Sequence, residues 1–323
     1  MTGGRTIGAV HVGPRLLLFK NKDLVDEGHT DHLHFNDSVF SVRGVAIGTG
    51  QEAGVSIGIN RHGLTGCSAT VLATYAQPYD YILEEILQSA KNVDDAYQII
   101  EEKISSGMQY RWCNIVLGDS NDVAVVEISE NECELEKTDD YVVRTNHHVL
   151  LGTSDILESA PVEERKAGRS IWTSRHRRQR TERQLGGART VAGITEILSM
   201  HSESRGFDSI CRHANGNDFG MPFLGLTVYS YVVDILYQDN RLRDAAFYVA
   251  PGNPCVNTYK KMDVDFNASQ EVIENQFTEQ RAKSNGLGLH LAKWIAGIYN
   301  GSIEIARSDL GGAGVDVYLR KAE

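Results

Sequence analysis

The residues that could do chemistry at the start of this chain are few. Asn21-Lys22-Asp23 closes an alternating stretch, and upstream of it only Thr2 and Thr6 carry a hydroxyl. Residues 6–12 and 15–21 read as a hairpin. A strand this close to the N-terminus either edges a sheet or carries a nucleophile whose own α-amino group is the base. A free α-amino group titrates near ~8, so at neutral pH a useful fraction can accept the nucleophile's proton. The nucleophile must then be the first residue of the mature chain. Cys67, Cys113, Cys133, Cys211 and Cys255 are all internal and cannot serve in that role. They are widely spaced and form no C-x-x-C pair, so they read as buried thiols, with neither a zinc ribbon nor a disulfide framework indicated.

Other polar clusters have plainer readings. His29, His32 and His34 in HTDHLH lack helical i,i+4 spacing and, in a polar loop, are expected to ligate no metal. Asn146 in RTNHH and the run GINRHGL at 58–64 read by themselves as strand-end turns, where Asn side chains cap backbone donors. RKAGRSIWTSRHRRQRTER packs eight Arg or Lys residues into 19 positions. It is either a phosphate site or a solvated helix with internal ion pairs, and a net charge of −11 favours the helix. The same charge disfavours nucleic acid and anionic membranes as partners. With no long apolar run and no signal-like segment before the first strand, a cytoplasmic protein with no membrane contact is expected.

The elements that must position these residues follow from periodicity. Thr6–Val12, Leu16–Lys20, Gly54–Ile59 and Leu64–Thr70 alternate as strands. DYILEEILQSAKN puts Ile82, Leu83, Ile86, Leu87 and Ala90 on one helical stripe, and VDDAYQIIEEKI does the same with Val93, Ala96, Ile99 and Ile100. Strands return at NIVLGD, VAVVEIS, CELEK and YVVRTNH. A helix follows at VAGITEILSMH, then two strands, LTVYSYVVDILY and AAFYVAP, separated by the polar turn QDNRLRD. The order fits an α+β domain in which helices cover a pair of antiparallel sheets.

Taken in order, N-x-D after the first hairpin, G-x-N-x-x-G-L, N-x-V-L-x-D…V-V-E, V-R-T-N-H, Ser-Ile-Cys-Arg-His (209–213) and Val-Ala-Pro-Gly-Asn-Pro-Cys (249–255) are more specific. Over roughly residues 5–262 this resembles the acyl-coenzyme A:isopenicillin N acyltransferases, relatives of the choloylglycine hydrolases among the N-terminal-nucleophile hydrolases. The resemblance implies a four-layer αββα sandwich and cleavage or transfer at a linear amide bond of a small-molecule substrate, with no cofactor. It implies that Asp23 orients the N-terminal amine and that Asn146 serves the oxyanion. It also implies that Lys20 stands where the hydrolases carry an Arg that meets substrate. Family spacing lands on Arg5 or Thr6, where Cys-Thr is usual. Three readings stay open: Thr6 attacks after cleavage behind Arg5, Thr2 attacks after loss of Met1, or Arg5 replaces the Cys in a non-catalytic scaffold. In that third case Arg5 adds positive charge to a pocket favouring anionic ligands.

The division expected is 1–263 for the hydrolase-like domain and 264–323 for a small α/β appendage. Within 272–320, Leu289, Ala292, Ile295, Ala296 and Tyr299 form a helical stripe with Gly301 at its end, and SIEIA and VDVYL form a strand pair. This stretch resembles the end of a histidine-kinase ATP-binding domain, with Asn285–Leu289 as the phosphate-facing loop. It lacks that fold's magnesium Asn and adenine loop. A segment of this size cannot bury both faces of a sheet alone, so it packs on the rest of the chain, stays partly loose or joins a second copy in a homo-oligomer.

Overall fold

The computed structural model describes residues 5–24, 29–46, 52–72, 74–153, 171–203, 205–213, 226–266, 302–307 and 313–318. Its foundation is the N-terminal hairpin. β1 (Arg5–Val12) pairs with β2 (Arg15–Leu24) from Arg5↔Lys22 to Val12↔Arg15. Gly13, at φ +58°, gives the left-handed backbone that the two-residue turn requires.

One sheet of seven antiparallel strands runs in chain order. It contains β3 (His29–Phe35), β4 (Val39–Ala46), β5 (Glu52–Asn60), β6 (Thr65–Leu72), β7 (Tyr110–Gly118), β8 (Val123–Glu130) and β9 (Glu132–Thr138). The other has six, in the order β10-β1-β2-β11-β12-β13, adding β10 (Tyr141–Arg144), β11 (Leu226–Gln238), β12 (Arg241–Pro251) and β13 (Lys260–Asp263). HTDHLH is therefore strand β3 and not a polar loop. Alternation sends Asp31 to the face opposite His32 and His34. The reversal between β11 and β12 is also tighter than QDNRLRD suggested. Asp239 and Asn240 alone make it, at φ 52° and 56°, and β12 resumes at Arg241.

Helices cover each sheet's outer face. α1 (Asp80–Ser89) and α2 (Val93–Ser105) bury Ile82, Leu83, Ile86, Leu87, Val93, Ala96 and Ile100 against Ile115, Leu117, Val126 and Ile128 of the seven-stranded sheet. Asn92 caps α2 by accepting from Asp95 N at 2.8 Å. α3 (Ile171–Leu185) and α4 (Val191–Leu198) pack Leu185, Ile194, Ile197 and Leu198 on Val10, Leu17, Phe19, Val143 and Val232 of the six-stranded sheet. Between the sheets lies a third apolar layer, in which Phe40 and Phe247 meet with ring centroids 5.0 Å apart. The layers are αββα, the architecture the sequence implied.

The chain divides into two compact units, Met1–Gln276 and Phe277–Glu323. In the second, β14 (Ser302–Arg307) and β15 (Ala313–Tyr318) form an antiparallel pair at SIEIA and VDVYL. The stripe Leu289–Tyr299, Gly301 and the loop Asn285–Leu289 lie outside the described residues. Among the described residues, no helix is long and apolar enough to cross a membrane.

Candidate active site

Antiparallel order brings four strand ends together at one edge of the six-stranded sheet: the starts of β1 and β11 and the ends of β2 and β10. Arg5, Thr6, Asp23, Thr227 and the residues following Arg144 therefore converge. Thr6 pairs with Asn21, so Asp23, two residues further along β2, lies on the same face of the hairpin as Thr6. The Thr6 hydroxyl is buried and has no hydrogen-bond partner among the described residues.

Asp23 is fully enclosed. It accepts from Thr227 Oγ1 at 2.7 Å and pairs with Arg212 Nε at 3.4 Å. Burial pushes its carboxyl above the usual carboxylate range, while Arg212, Arg177 and the Thr227 bond pull the other way. Asn146 sits just beyond β10. Its Oδ1 accepts from Arg5 N at 2.9 Å and Arg177 Nη2 at 2.7 Å, and its Nδ2 donates to Thr70 O at 2.7 Å. The Arg5 guanidinium turns toward α1, donating from Nη1 to Tyr79 Oη at 3.0 Å, and Tyr79 in turn bonds Thr70.

Lys20 is near these groups but differently engaged. Its ammonium donates to Ser56 O (2.7 Å), Ser56 Oγ (2.7 Å) and Ser68 O (2.8 Å), which uses its three hydrogens to tie β2 to the opposite sheet. Burial, with Arg5 adding, holds its pKa well below that of an ordinary lysine. Lys22 forms a buried ion pair with Asp31, which also accepts from Tyr231 Oη at 2.5 Å. The sequence-derived set thus separates. Arg5 and Asn146 touch directly, Thr6 and Asp23 share a face, and Lys20 braces the sheets.

Arg177 and Arg212 belong to the site and were missed in the sequence. Arg177 lies in the cationic run expected to be solvated, yet it is 1% exposed. A signal was present: Ile171, Ser174, Thr181 and Leu185 mark a buried stripe through that run. The expected internal ion pair does form, between Arg178 and Glu182 at 2.9 Å. Arg212 stood inside Ser-Ile-Cys-Arg-His without an assigned role. Two supports were also hidden. Asn114 Nδ2 donates to Thr145 O (2.9 Å) and His147 O (3.0 Å), gripping both neighbours of Asn146. Ser174 Oγ on α3 accepts from Asn146 N at 2.8 Å.

Three buried guanidiniums, Arg5, Arg177 and Arg212, act on the Asp23 carboxylate, and Arg212 pairs with it directly. Asp80 and Asp31 act on Arg5 more strongly than Asp23 does, and Asp208 adds to the attraction on Arg177 and Arg212. Arg5 Nε and Arg177 Nε and Nη1 are buried without hydrogen-bond partners among the described residues. Unmatched buried donors of this kind are rare and costly, and an oxyanion would satisfy them.

This layering and this edge define an N-terminal-nucleophile hydrolase fold. Residues 12–221 match the family described as acyl-coenzyme A:6-aminopenicillanic acid acyl-transferase. That is more than half of the 323 residues, and the chain belongs to this family. Among solved structures it is similar to penicillin V acylase from Agrobacterium tumefaciens, with TM-score 0.50 and 11% identity over 83% of this chain and 88% of that one. At that identity the likeness speaks for the fold alone. No curated protein matches. Family and fold together support amide hydrolysis or acyl transfer in general. The family match stops at residue 221, so it supports the hydrolase-like reading and not the likeness of the C-terminal stretch to a histidine-kinase ATP-binding domain.

Proposed function

We propose that the chain cleaves or transfers the acyl group of a linear amide, with Thr6 as nucleophile once the residues through Arg5 are removed. One observation carries this reading: the Thr6 hydroxyl is buried, without a partner among the described residues, on the same face as Asp23. An unpaired buried hydroxyl costs free energy and calls for an explanation, which an attacking group supplies. In this scheme the freed amine of Thr6, oriented by Asp23, takes the hydroxyl proton as Oγ1 attacks the amide carbon. Asn146 offers its amide to the resulting oxyanion. The proton then passes to the leaving nitrogen as the C–N bond breaks. Water, or a second amine in the transfer reaction, releases the acyl group and restores the hydroxyl. The cationic surroundings from Arg177 and Arg212 favour substrates that carry a carboxylate.

Intact-mass and N-terminal analysis of the purified chain tests this, alongside turnover of acyl amino acids. A mature chain beginning at Thr6, with turnover abolished in Thr6→Ala, is the expected result. Turnover by a chain that keeps Arg5, or by Thr6→Ala, would overturn it.

A second reading rests on Arg5 itself. Its backbone N is held by Asn146, its Nη1 by Tyr79, and its Nε is buried without a partner among the described residues. A chain that retains Arg5 is then a carboxylate-binding scaffold. Thermal stabilisation by acyl amino acids, lost in Arg5→Met, distinguishes it from an enzyme.

A further inference from the structure

Four side chains with metal-binding atoms meet where the chain leaves α4, passes residues 211–213 and turns after β12. They are His201, Cys211, His213 and Cys255, and one donor atom from each lies within 4.8 Å of all the others. Four of the six separations are His201 Nε2 to His213 Nε2 at 3.0 Å, His213 Nε2 to Cys255 Sγ at 3.0 Å, Cys211 Sγ to Cys255 Sγ at 3.6 Å and Cys211 Sγ to His213 Nε2 at 3.7 Å. A tetrahedral zinc ion with Zn–S near ~2.3 Å and Zn–N near ~2.0 Å sets ligand-to-ligand edges of roughly 3.3–3.8 Å. The 3.6 and 3.7 Å separations fall within that range, and the two at 3.0 Å lie just below it.

We propose that His201, Cys211, His213 and Cys255 form a structural zinc site. Two thiolates and two neutral imidazoles cancel the charge of the ion, so a neutral unit sits in a partly buried place where an isolated charge would be costly. Loading displaces two thiol protons to solvent and changes no oxidation state. With four protein ligands the coordination shell is closed, which fits a structural rather than a catalytic ion. The ion has a way in, because a cleft of about 660 Å³ is lined by Ser199, His201, Cys255 and Tyr259.

The site also has a consequence for its surroundings. Arg212 lies between two of the ligands, and it is the residue whose guanidinium pairs with Asp23. Asn253, two residues before Cys255, donates to Arg212 O and to Cys211 Sγ, the latter at 3.5 Å. A zinc ion would therefore clamp the segment that delivers Arg212 to the candidate active site. No short motif announces this set, since 12 residues separate the two histidines and 42 separate His213 from Cys255. Cys255 also lies beyond the family match, so the full set is not a property of the matched region.

The test uses the full chain under reducing conditions. Metal analysis after chelation and reloading with zinc should give one zinc per chain. Replacement by cobalt should give the strong visible absorption of a tetrahedral ion together with thiolate-to-cobalt charge transfer. Cys255→Ser and His213→Gln should each abolish stoichiometric loading, while Cys133→Ser should load normally. The cobalt spectrum of the unsubstituted chain keeps the test meaningful if a variant fails to fold. A folded, reduced chain that takes up no stoichiometric metal would overturn the site. So would an octahedral cobalt spectrum, unchanged loading in Cys211→Ser/Cys255→Ser, or a Cys211–Cys255 disulfide that persists under reduction.

Discussion

Asp23 is a buried carboxylate held between cationic side chains. Its carboxylate faces Arg212 directly and Arg177 at longer range, all three buried. Removing one partner of a buried ion pair strands the other charge, so Asp23→Ala should cost about 3–5 kcal/mol in denaturant unfolding. Asp23→Asn keeps an acceptor for Thr227 and should cost less. Asn146 is tested through rate. In a chain shown to turn over, Asn146→Ala should lower kcat by roughly 100- to 1,000-fold, as loss of one oxyanion donor does elsewhere. His147 gives a pH signature. Burial first, with Arg178, Arg175, Arg177 and Arg144 adding, pushes its pKa down from 6.5 to about 3. Below 6.5 the unfolded chain takes up a proton that the folded chain refuses, so acid destabilises the fold. Stability from this residue should fall by about 1.4 kcal/mol per pH unit as pH drops through that window. His147→Gln should make the measured slope shallower by one proton. Of these residues, Asp23 and Asn146 were legible because their types and order match a family pattern. His147 and Arg212 were not, because nothing local distinguishes a buried cationic or imidazole side chain from an exposed one.

The elements explain what the quoted motifs are for. In V-V-E, Glu127 is buried on β8 and pairs with Arg144 Nε at 2.8 Å. Its two oxygens also accept from Val149, Leu150 and Leu151 N at 2.8–3.1 Å, shaping the loop just past Asn146. In N-x-V-L-x-D, Asn114 grips the chain on both sides of Asn146. Asp119 closes the β7–β8 turn through Asn121 and Asp122 N and accepts from Val93 N at the start of α2. These motifs are supports, a distinction that spacing alone does not reveal. Glu127→Ala should therefore destabilise the fold by about 3–5 kcal/mol, and any turnover should fall with the displaced loop. A Glu127→Ala chain with wild-type stability would refute that role. Strands and helices with clear alternation or 3.6 periodicity were readable. β3 was not, because its polar residues hide a strand whose buried member, Asp31, is matched by Lys22 on β2 and by Tyr231, 200 positions away.

For the whole molecule, the first unit holds every layer it needs. Both sheets, both helical layers and the three apolar layers between them fall within Met1–Gln276, and so do all residues of the candidate active site and of the zinc site. The final strand of the six-stranded sheet, β13, ends at Asp263, and Val264 N still donates to Ala245 O at 2.9 Å. A cut at the expected boundary, after 263, would sever the chain beside that bond, whereas a cut after Gln276 leaves it intact. A chain ending at Gln276 should therefore unfold in one cooperative transition, with a midpoint close to that of the full chain, and should keep one zinc. Cooperative unfolding follows from burial, and burial here is supplied by pairings inside the unit. Loss of cooperativity on removing 277–323 would mean that the appendage contributes to the core of the first unit. Retention of cooperativity with loss of turnover would instead assign the appendage to the chemistry, since the Thr6, Asp23 and Asn146 scaffold would still be folded.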